Sequence, residues 1–317
     1  VSWAVSLLLQ VLHLIFMLAV APFALGLSHF AGARLAGRAG PPPTQPWRDL
    51  RRLLRKQTVF AESASGLFGS TPAFAFATIL LASSLVPSFA LGMATAPLSD
   101  LIVVTGLLML ARASLALAAM ESGTALGGLG ASRSMALAGF TEPALLLVIA
   151  PLALLTGSTN LDTIASVIRD GAIGLQVPSL LAMAALAVVA VARLRAPTNA
   201  PLPFSEAAMT EDVLAQEYSG RPLALLKWGD ALRRLLWLNL LVDVAIPFGL
   251  ADSGANPLWW VVSMAIWVAK MAVLTVALAV WQVARASRST GLAESLGLAV
   301  LLGLLAAAFL FAGQGLA

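Results

Sequence analysis

Five ionisable side chains stand inside long apolar runs: Arg112, Asp243 and Lys270 near the middle of theirs, Glu121 and Glu142 nearer the ends. An isolated charge at the centre of a bilayer costs at least about 2.5–3.5 kcal/mol on insertion scales, so such residues call for partners, a water-filled interior, or both. Two kinds of chemistry fit. One is a proton or ion path, which requires protonatable groups at depth. The other is static pairing between helices, for instance Asp243 with Lys270. A second acidic group, Glu206, Glu211, Asp212 and Glu217, lies in a polar stretch. Such density usually marks a solvated loop, yet Glu206 and Glu217 share a face if the stretch is helical. His13, alone in the first apolar run, reads as a packed or hydrogen-bonded residue.

Composition narrows the chemistry further. The chain has no cysteine and two histidines, His13 and His29. Without thiols there are no disulfides, no iron–sulfur ligation and no thiolate nucleophile. Two histidines with no nearby carboxylate make a poor zinc or haem site. G-x-S-x-G, P-loop and H-E-x-x-H patterns are absent. The run Gly123 to Gly130 reads as a loop between membrane spans rather than a phosphate cradle. Whatever redox chemistry the protein serves, its own side chains do not hold the usual metal centres. Nucleic acid is a poor partner despite the net charge of +4, because the cations follow membrane topology.

The elements that must position these residues are membrane helices. The chain has 317 residues, 60% apolar and 11% charged, against roughly 25% charged in soluble domains. Its apolar runs match the roughly 20 helical residues needed to cross a bilayer. A transmembrane β-barrel would alternate in polarity instead. We expect an all-α membrane protein with about eight transmembrane helices, near 3–27, 70–93, 100–121, 134–156, 176–194, 233–251, 258–283 and 291–313. The first run lacks a basic start and a cleavage site, so it reads as a retained helix rather than a signal peptide.

The whole chain, 1–317, forms one polytopic domain with two cytoplasmic segments, 28–69 and 196–232. Arg34, Arg38, Arg48, Arg51, Arg52, Arg55 and Lys56 occupy the first loop, and Arg133, Arg193, Arg195, Arg221, Lys227, Arg285 and Arg288 the later odd-numbered ones. The positive-inside rule puts these loops in the cytoplasm and both termini outside, in a bacterial inner membrane. Leu50, Leu53 and Leu54 recur at helical spacing among cations, as in an amphipathic helix lying on the membrane surface.

Three stretches resemble a known family. RLAGRAGPPPTQPWRDLRRLLRK (34–56) resembles the R-x-x-x-R-x-G-P-P-x-x-Q-P-x-x-D segment of the complex I subunit 1 family. GASR (130–133) followed by TEPALL (141–146) is similar to the G-x-S-R and E-P-A-L-L stretches of that family's hydrogenase branch, and EYSGRPLALLKW (217–228) to its E-Y-S-G-x-x-x-A-L-x-x-W motif. The branch is the membrane anchor of group 4 [NiFe] hydrogenases, the formate hydrogenlyase subunit 4 type, with its carbon-monoxide-linked relatives.

The resemblance implies a non-catalytic subunit of an oxidoreductase complex. It would hold an iron–sulfur small subunit and a hydrogenase-like large subunit against the bilayer and join them to antiporter-like subunits that move H⁺ or Na⁺. The [4Fe–4S] clusters, and nickel–iron where present, would sit in those partners; quinone at the interface, or purely structural anchoring, are the alternatives. It implies docking through Arg34, Arg38, Gln45 and Asp49, with Arg133 and Arg221 beside them. Glu142, Glu206, Asp212 and Glu217 fall at family carboxylates, and Lys270 and Glu294 also match; Arg112, Glu121 and Asp243 complete the candidate proton path. Asp212 stands where relatives often have Glu, 201–205 lacks the expected D-D-P-x-T-H-L pattern, and Trp281-Gln282 replaces an expected carboxylate.

Overall fold

The computed structural model describes residues 3–59, 65–171, 177–194, 209–285 and 292–314. Eleven helices are present among them: α1 (Trp3–Leu35), α2 (Gln45–Arg55), α3 (Gly66–Leu85), α4 (Leu101–Glu121), α5 (Ala125–Thr156), α6 (Leu161–Arg169), α7 (Val177–Arg193), α8 (Met209–Glu217), α9 (Gly220–Ala245), α10 (Pro257–Arg285) and α11 (Leu292–Gln314). Each of the eight expected spans overlaps one of the long helices. Four helical segments, Trp3–Leu35, Gly66–Leu85, Leu101–Glu121 and Pro257–Ala284, are long and apolar enough to cross a membrane, and α5, α7 and α11 carry shorter apolar stretches. The chain is a multi-pass membrane protein.

Two groups of helices make the core. In one, α1 packs on α9 and α10, and α3 packs on α9. In the other, α11 lies against α7 and α5. Helix α4 joins the groups by contacting both α3 and α5. Leu9, Met17, Phe89, Leu232, Leu235 and Trp267 are fully buried where the first group closes.

Helix boundaries differ from the hydropathy reading for local reasons. Helix α3 stops at Leu85 rather than 93, because Pro87 has no N–H with which to continue it. The chain then forms β1 (Ala90–Leu91), which pairs in parallel with β2 (Ala251–Asp252) just beyond α9. Helix α9 begins at Gly220 rather than 233. Asp230 pairs with Arg233 and Arg234 one turn on, at 2.8 and 2.9 Å, so the helix runs through a stretch whose polarity reads as loop. The glycine-rich run beyond Thr124 is also helical, forming the first turns of α5. A Cβ on Gly127 would collide with the Ala119 carbonyl of α4, so glycine is what lets the two helices meet there.

Ending α3 inside the protein leaves its last carbonyls without helical partners. Side chains from other elements take each of them in turn. Ser83 O, the carbonyl Pro87 would have paired with, accepts from His13 Nε2 at 2.9 Å. Ser84 O accepts from Gln10 Nε2 and Thr95 Oγ1 at 2.9 and 2.8 Å, and Leu85 O from Ser99 Oγ. Pro87 O accepts from Asn239 Nδ2. His13 Nδ1 lies 2.7 Å from Ser88 Oγ, so the imidazole is hydrogen-bonded at both nitrogens. It is structural, as a lone histidine at that depth should be.

His13→Leu should therefore lower the thermal unfolding midpoint in detergent more than Ser88→Ala does, since only the first leaves a buried carbonyl unpaired, at about 1–3 kcal/mol. Equal midpoints for the two variants would contradict this account of α3.

Candidate functional site

Two of the quoted motifs, 34–56 and 217–228, meet at one end of the molecule, where α1 ends, α2 lies across α9, and α9 begins. Two tryptophans fix this end. Pro22 interrupts α1 and has no N–H for Leu18 O. Trp228 Nε1 donates to that carbonyl at 3.1 Å, and Trp47 Nε1 to the neighbouring Ala19 O at 3.1 Å. The two indoles meet edge-on at 5.8 Å. Pro72 does the same to α3, and its freed carbonyl, Phe68 O, accepts from the Tyr218 hydroxyl at 2.6 Å. The phenol ring also stacks on Phe68 at 4.3 Å.

The rest of E-Y-S-G binds the first loop. Ser219 Oγ accepts from Val59 N at 3.0 Å and donates to Val59 O at 3.1 Å. Gly220 adopts φ +60°, and a Cβ there would stand 2.7 Å from Gln57 O. Both conditions require glycine. The tyrosine, serine and glycine thus clamp the two long polar segments together. Glu217, Arg221, Arg34 and Arg38 remain exposed, with Arg34 over the Phe30 ring.

Helix α2 buries Leu50 and Leu53 against Ala224, with Leu223 and Trp228 alongside. Its apolar stripe therefore faces α9, and of the three leucines only Leu54 is exposed. Arg48, Arg51, Arg52 and Arg55 point outward. Gln45 Nε2 donates to Asp49 at 3.2 Å, and Asp49 also pairs with Arg52 at 3.2 Å. Arg133, on α5, is exposed as well.

The membrane charges separate into two groups. Arg112 of α4 and Glu142 of α5 form an ion pair at 3.3 Å, 15% and 26% exposed. At the last residue of α4, Glu121 keeps Oε2 buried with no hydrogen-bond partner among the described residues. It lies near enough to Tyr218 to act on it: burial first, then the Glu121 charge, pushes the phenol above its ordinary range. Asp243 and Lys270 sit at the other end of α9, about 20 Å of helix beyond Asp230. They do not pair with each other. Lys270 Nζ donates to Ile246 O at 2.7 Å and to Phe248 O, and stands over the Phe248 ring, so it closes the end of α9. Asp243 is 1% exposed; Oδ2 accepts from Asn239 at 3.2 Å and Oδ1 has no hydrogen-bond partner among the described residues.

Glu206 lies outside the described residues, and the side chains of Asp212 and Glu294 are not described. Gln282, where a carboxylate was expected, donates to Leu194 O at 2.7 Å and so closes α7. Sequence reasoning missed the Asp230–Arg233–Arg234 cluster, whose i, i+3, i+4 spacing was the available signal. These residues and His29 line a cavity of about 290 Å³ between α1, α2, α3 and α9. Among the described residues no three of His, Cys, Asp or Glu could hold a metal ion.

Comparison with known proteins adds ancestry to this geometry. Residues 8–312 match the NADH dehydrogenase family. The chain is 30% identical over 251 residues to formate hydrogenlyase subunit 4 of Escherichia coli (strain K12), covering 78% of this chain and 80% of that one. It is 31% identical over 242 residues to hydrogenase-4 component C of the same organism, covering 75% of each. Among solved structures, a chain of the membrane-bound sulfane sulfur reductase, an archaeal respiratory membrane complex, superposes with a TM-score of 0.73 at 20% identity, over 94% of this chain and 98% of that one. That last likeness concerns the fold.

Two outcomes follow from the clamp. Trp228→Phe should destabilise the protein by about 1–3 kcal/mol through the orphaned Leu18 carbonyl, and the penalty should shrink in a Pro22→Ala background, where the helix supplies its own N–H; equal penalties in both backgrounds would refute the pairing. Tyr218 is the chain's single tyrosine, so tyrosinate absorbance reports it alone. Its pKa is raised on folding, so its contribution to stability should be complete below about pH 10, the unfolded value, and be lost as pH climbs through the folded value. Ionisation at the ordinary pH in the folded chain would contradict the buried clamp.

Proposed function

The chain belongs to the NADH dehydrogenase family of membrane subunits, and from that premise we propose that it is the membrane anchor and ion-coupling subunit of a formate hydrogenlyase-like oxidoreductase complex. It holds an iron–sulfur small subunit and a hydrogenase-like large subunit at the bilayer and connects them to antiporter-like subunits. The iron–sulfur clusters, and nickel–iron if the large subunit carries it, belong to those partners. All eight long helices cross a bacterial inner membrane, with the α2 end in the cytoplasm and both termini outside.

The observation that carries this reading is the build of the α2 end. Tyr218, Ser219, Gly220, Trp47 and Trp228 are spent on backbone groups of neighbouring segments, which makes the platform rigid. Arg34, Arg38, Arg48, Arg51, Arg52, Arg55 and Arg221 are left on its surface. A rigid cationic platform suits docking of a hydrophilic arm, because electrostatic complementarity sets register as well as encounter rate. Gln45 and Asp49 hold α2's first turn in place for it.

The ion path begins beneath the platform. Glu217, Glu121 and the Arg112–Glu142 pair lie on adjoining segments of α8, α4 and α5, and Glu206 and Asp212 are assigned to the path from the sequence resemblance alone. Asp243 is the outer-end carboxylate. Lys270 serves the path by closing α9.

Two measurements on the complex test this. A mild-detergent pull-down through this subunit should recover a cysteine-rich small subunit and a large subunit with iron; recovery of a monodisperse, metal-free chain alone would overturn the anchor reading. In the assembled complex, Glu142→Gln and Glu217→Gln should each reduce ion movement per electron transferred, and unchanged coupling in both would remove the relay while leaving the anchor intact.

A further inference from the structure

Two helices break at matched places. Helix α3 gives way at Val86-Pro87 and α9 at Ile246-Pro247, and each break runs from its proline to a Pro-Leu pair ten residues on, Pro97-Leu98 and Pro257-Leu258. The two broken segments lie side by side, Ala90 paired with Ala251 and Leu91 with Asp252. The second break sits at depth. Lys270, which reaches Ile246 O and Phe248 O, stands thirteen residues past Pro257 on α10, about 20 Å of helix. Irregular backbone at such depth is tolerated only where protein or a polar path surrounds it, and interruptions in corresponding positions of two apolar stretches point to an ion site.

Two carboxylates stand at this junction. Asp243 is on the last turn of α9 before the break, 1% exposed, and its Oδ1 has no hydrogen-bond partner among the described residues. Asp162, near the start of α6, is half-buried and accepts from Gly92 N, just past β1, at 2.7 Å. Burial holds the Asp162 carboxyl above its ordinary value, against the opposing effect of the Gly92 bond. The charges of Asp162 and Lys270 both reach Asp243. Lys270 is tethered to two carbonyls rather than to Asp243, so its field acts without an ion pair that would fix the charge. A metal ion would need several oxygens at once, and among the described residues no three of His, Cys, Asp or Glu could hold one. A proton needs a single oxygen, and Asp243 Oδ1 supplies it.

We propose that Asp243 and Asp162 are the last two stations of a proton path through this chain. Asp243 carries the proton within the bilayer and passes it to Asp162, which releases it to water at the end opposite α2. The O–H bond on Asp243 breaks as one forms on Asp162, so the proton is held by each carboxyl in turn. Lys270 is a positioning residue, its positive charge offsetting Asp243 once the proton has left. This rests on the ion-coupling reading and adds to it the ion and its exit.

The test places the assembled complex in sealed vesicles with a pH-sensitive dye and reads protons moved per electron transferred. Asp162→Asn keeps an oxygen for Gly92 N but cannot carry a proton, so the fold should survive it. It should lower the ratio as much as Glu142→Gln does, because the two lie in series, and the double variant should lose no more than either single one. Asp162→Glu should restore the ratio. An unchanged ratio in Asp162→Asn with Glu142→Gln impaired would overturn the proposal and leave the coupling reading standing. So would losses that add in the double variant, or movement that stops when Na⁺ is withheld. If neither single variant changed the ratio, the coupling reading would fall and this exit with it.

Discussion

Hydrocarbon offers no hydrogen bonds, so every backbone carbonyl that a proline releases inside the bilayer must find a donor within the protein. Much of this structure follows from that constraint. Pro22, Pro72 and Pro87 release Leu18 O, Phe68 O and Ser83 O, and Trp228, Tyr218 and His13 answer them. Each donor comes from a different helix or loop from the carbonyl it serves. The breaks therefore become cross-links: α9 to α1, the start of α9 to α3, and α1 to the end of α3. Pro151 illustrates a weaker solution. Its partner carbonyl, Leu147 O, faces the bare backbone of Gly303, where a Cβ would stand 2.9 Å away. Glycine allows the helices to approach at the freed group, where a Cα–H contact is available.

This division of labour separates polar residues that hold the fold from those left for chemistry. His13, Lys270, Gln282 and Asn239 all look functional by depth alone, yet each is committed to main-chain carbonyls. Glu121 and Asp243 are different, because each keeps one buried oxygen with no hydrogen-bond partner among the described residues. An uncompensated carboxylate oxygen is costly in such surroundings. The Arg112–Glu142 pair is compensated, each charge meeting the other.

The platform at the α2 end shows why the E-Y-S-G…W motif has its composition. The tyrosine and the tryptophan, ten residues apart, each close a proline gap, the serine bonds both backbone groups of Val59, and the glycine admits the Gln57 carbonyl. With those residues fixed in place, α2 can lie flat on α9 through Leu50 and Leu53 and present its arginines outward. Rigidity beneath and charge above are then consequences of one set of hydrogen bonds.

Much of this was legible in the chain itself. Runs of apolar residues set the helices, because crossing hydrocarbon demands length and uniform hydrophobicity whatever the neighbours are. The three quoted segments were enough to mark the family. Helix ends were less legible: α9 starts thirteen residues before hydropathy would begin it, because the Asp230 cluster neutralises itself within one turn. Partners were not legible at all. Asp243 and Lys270 are opposite charges on consecutive long helices, and composition alone pairs them; the structure sends the lysine to two carbonyls instead. Burial and periodicity are properties of a segment, and sequence carries them. Which donor reaches which freed carbonyl depends on how helices far apart in the chain cross, and only the tertiary structure decides that.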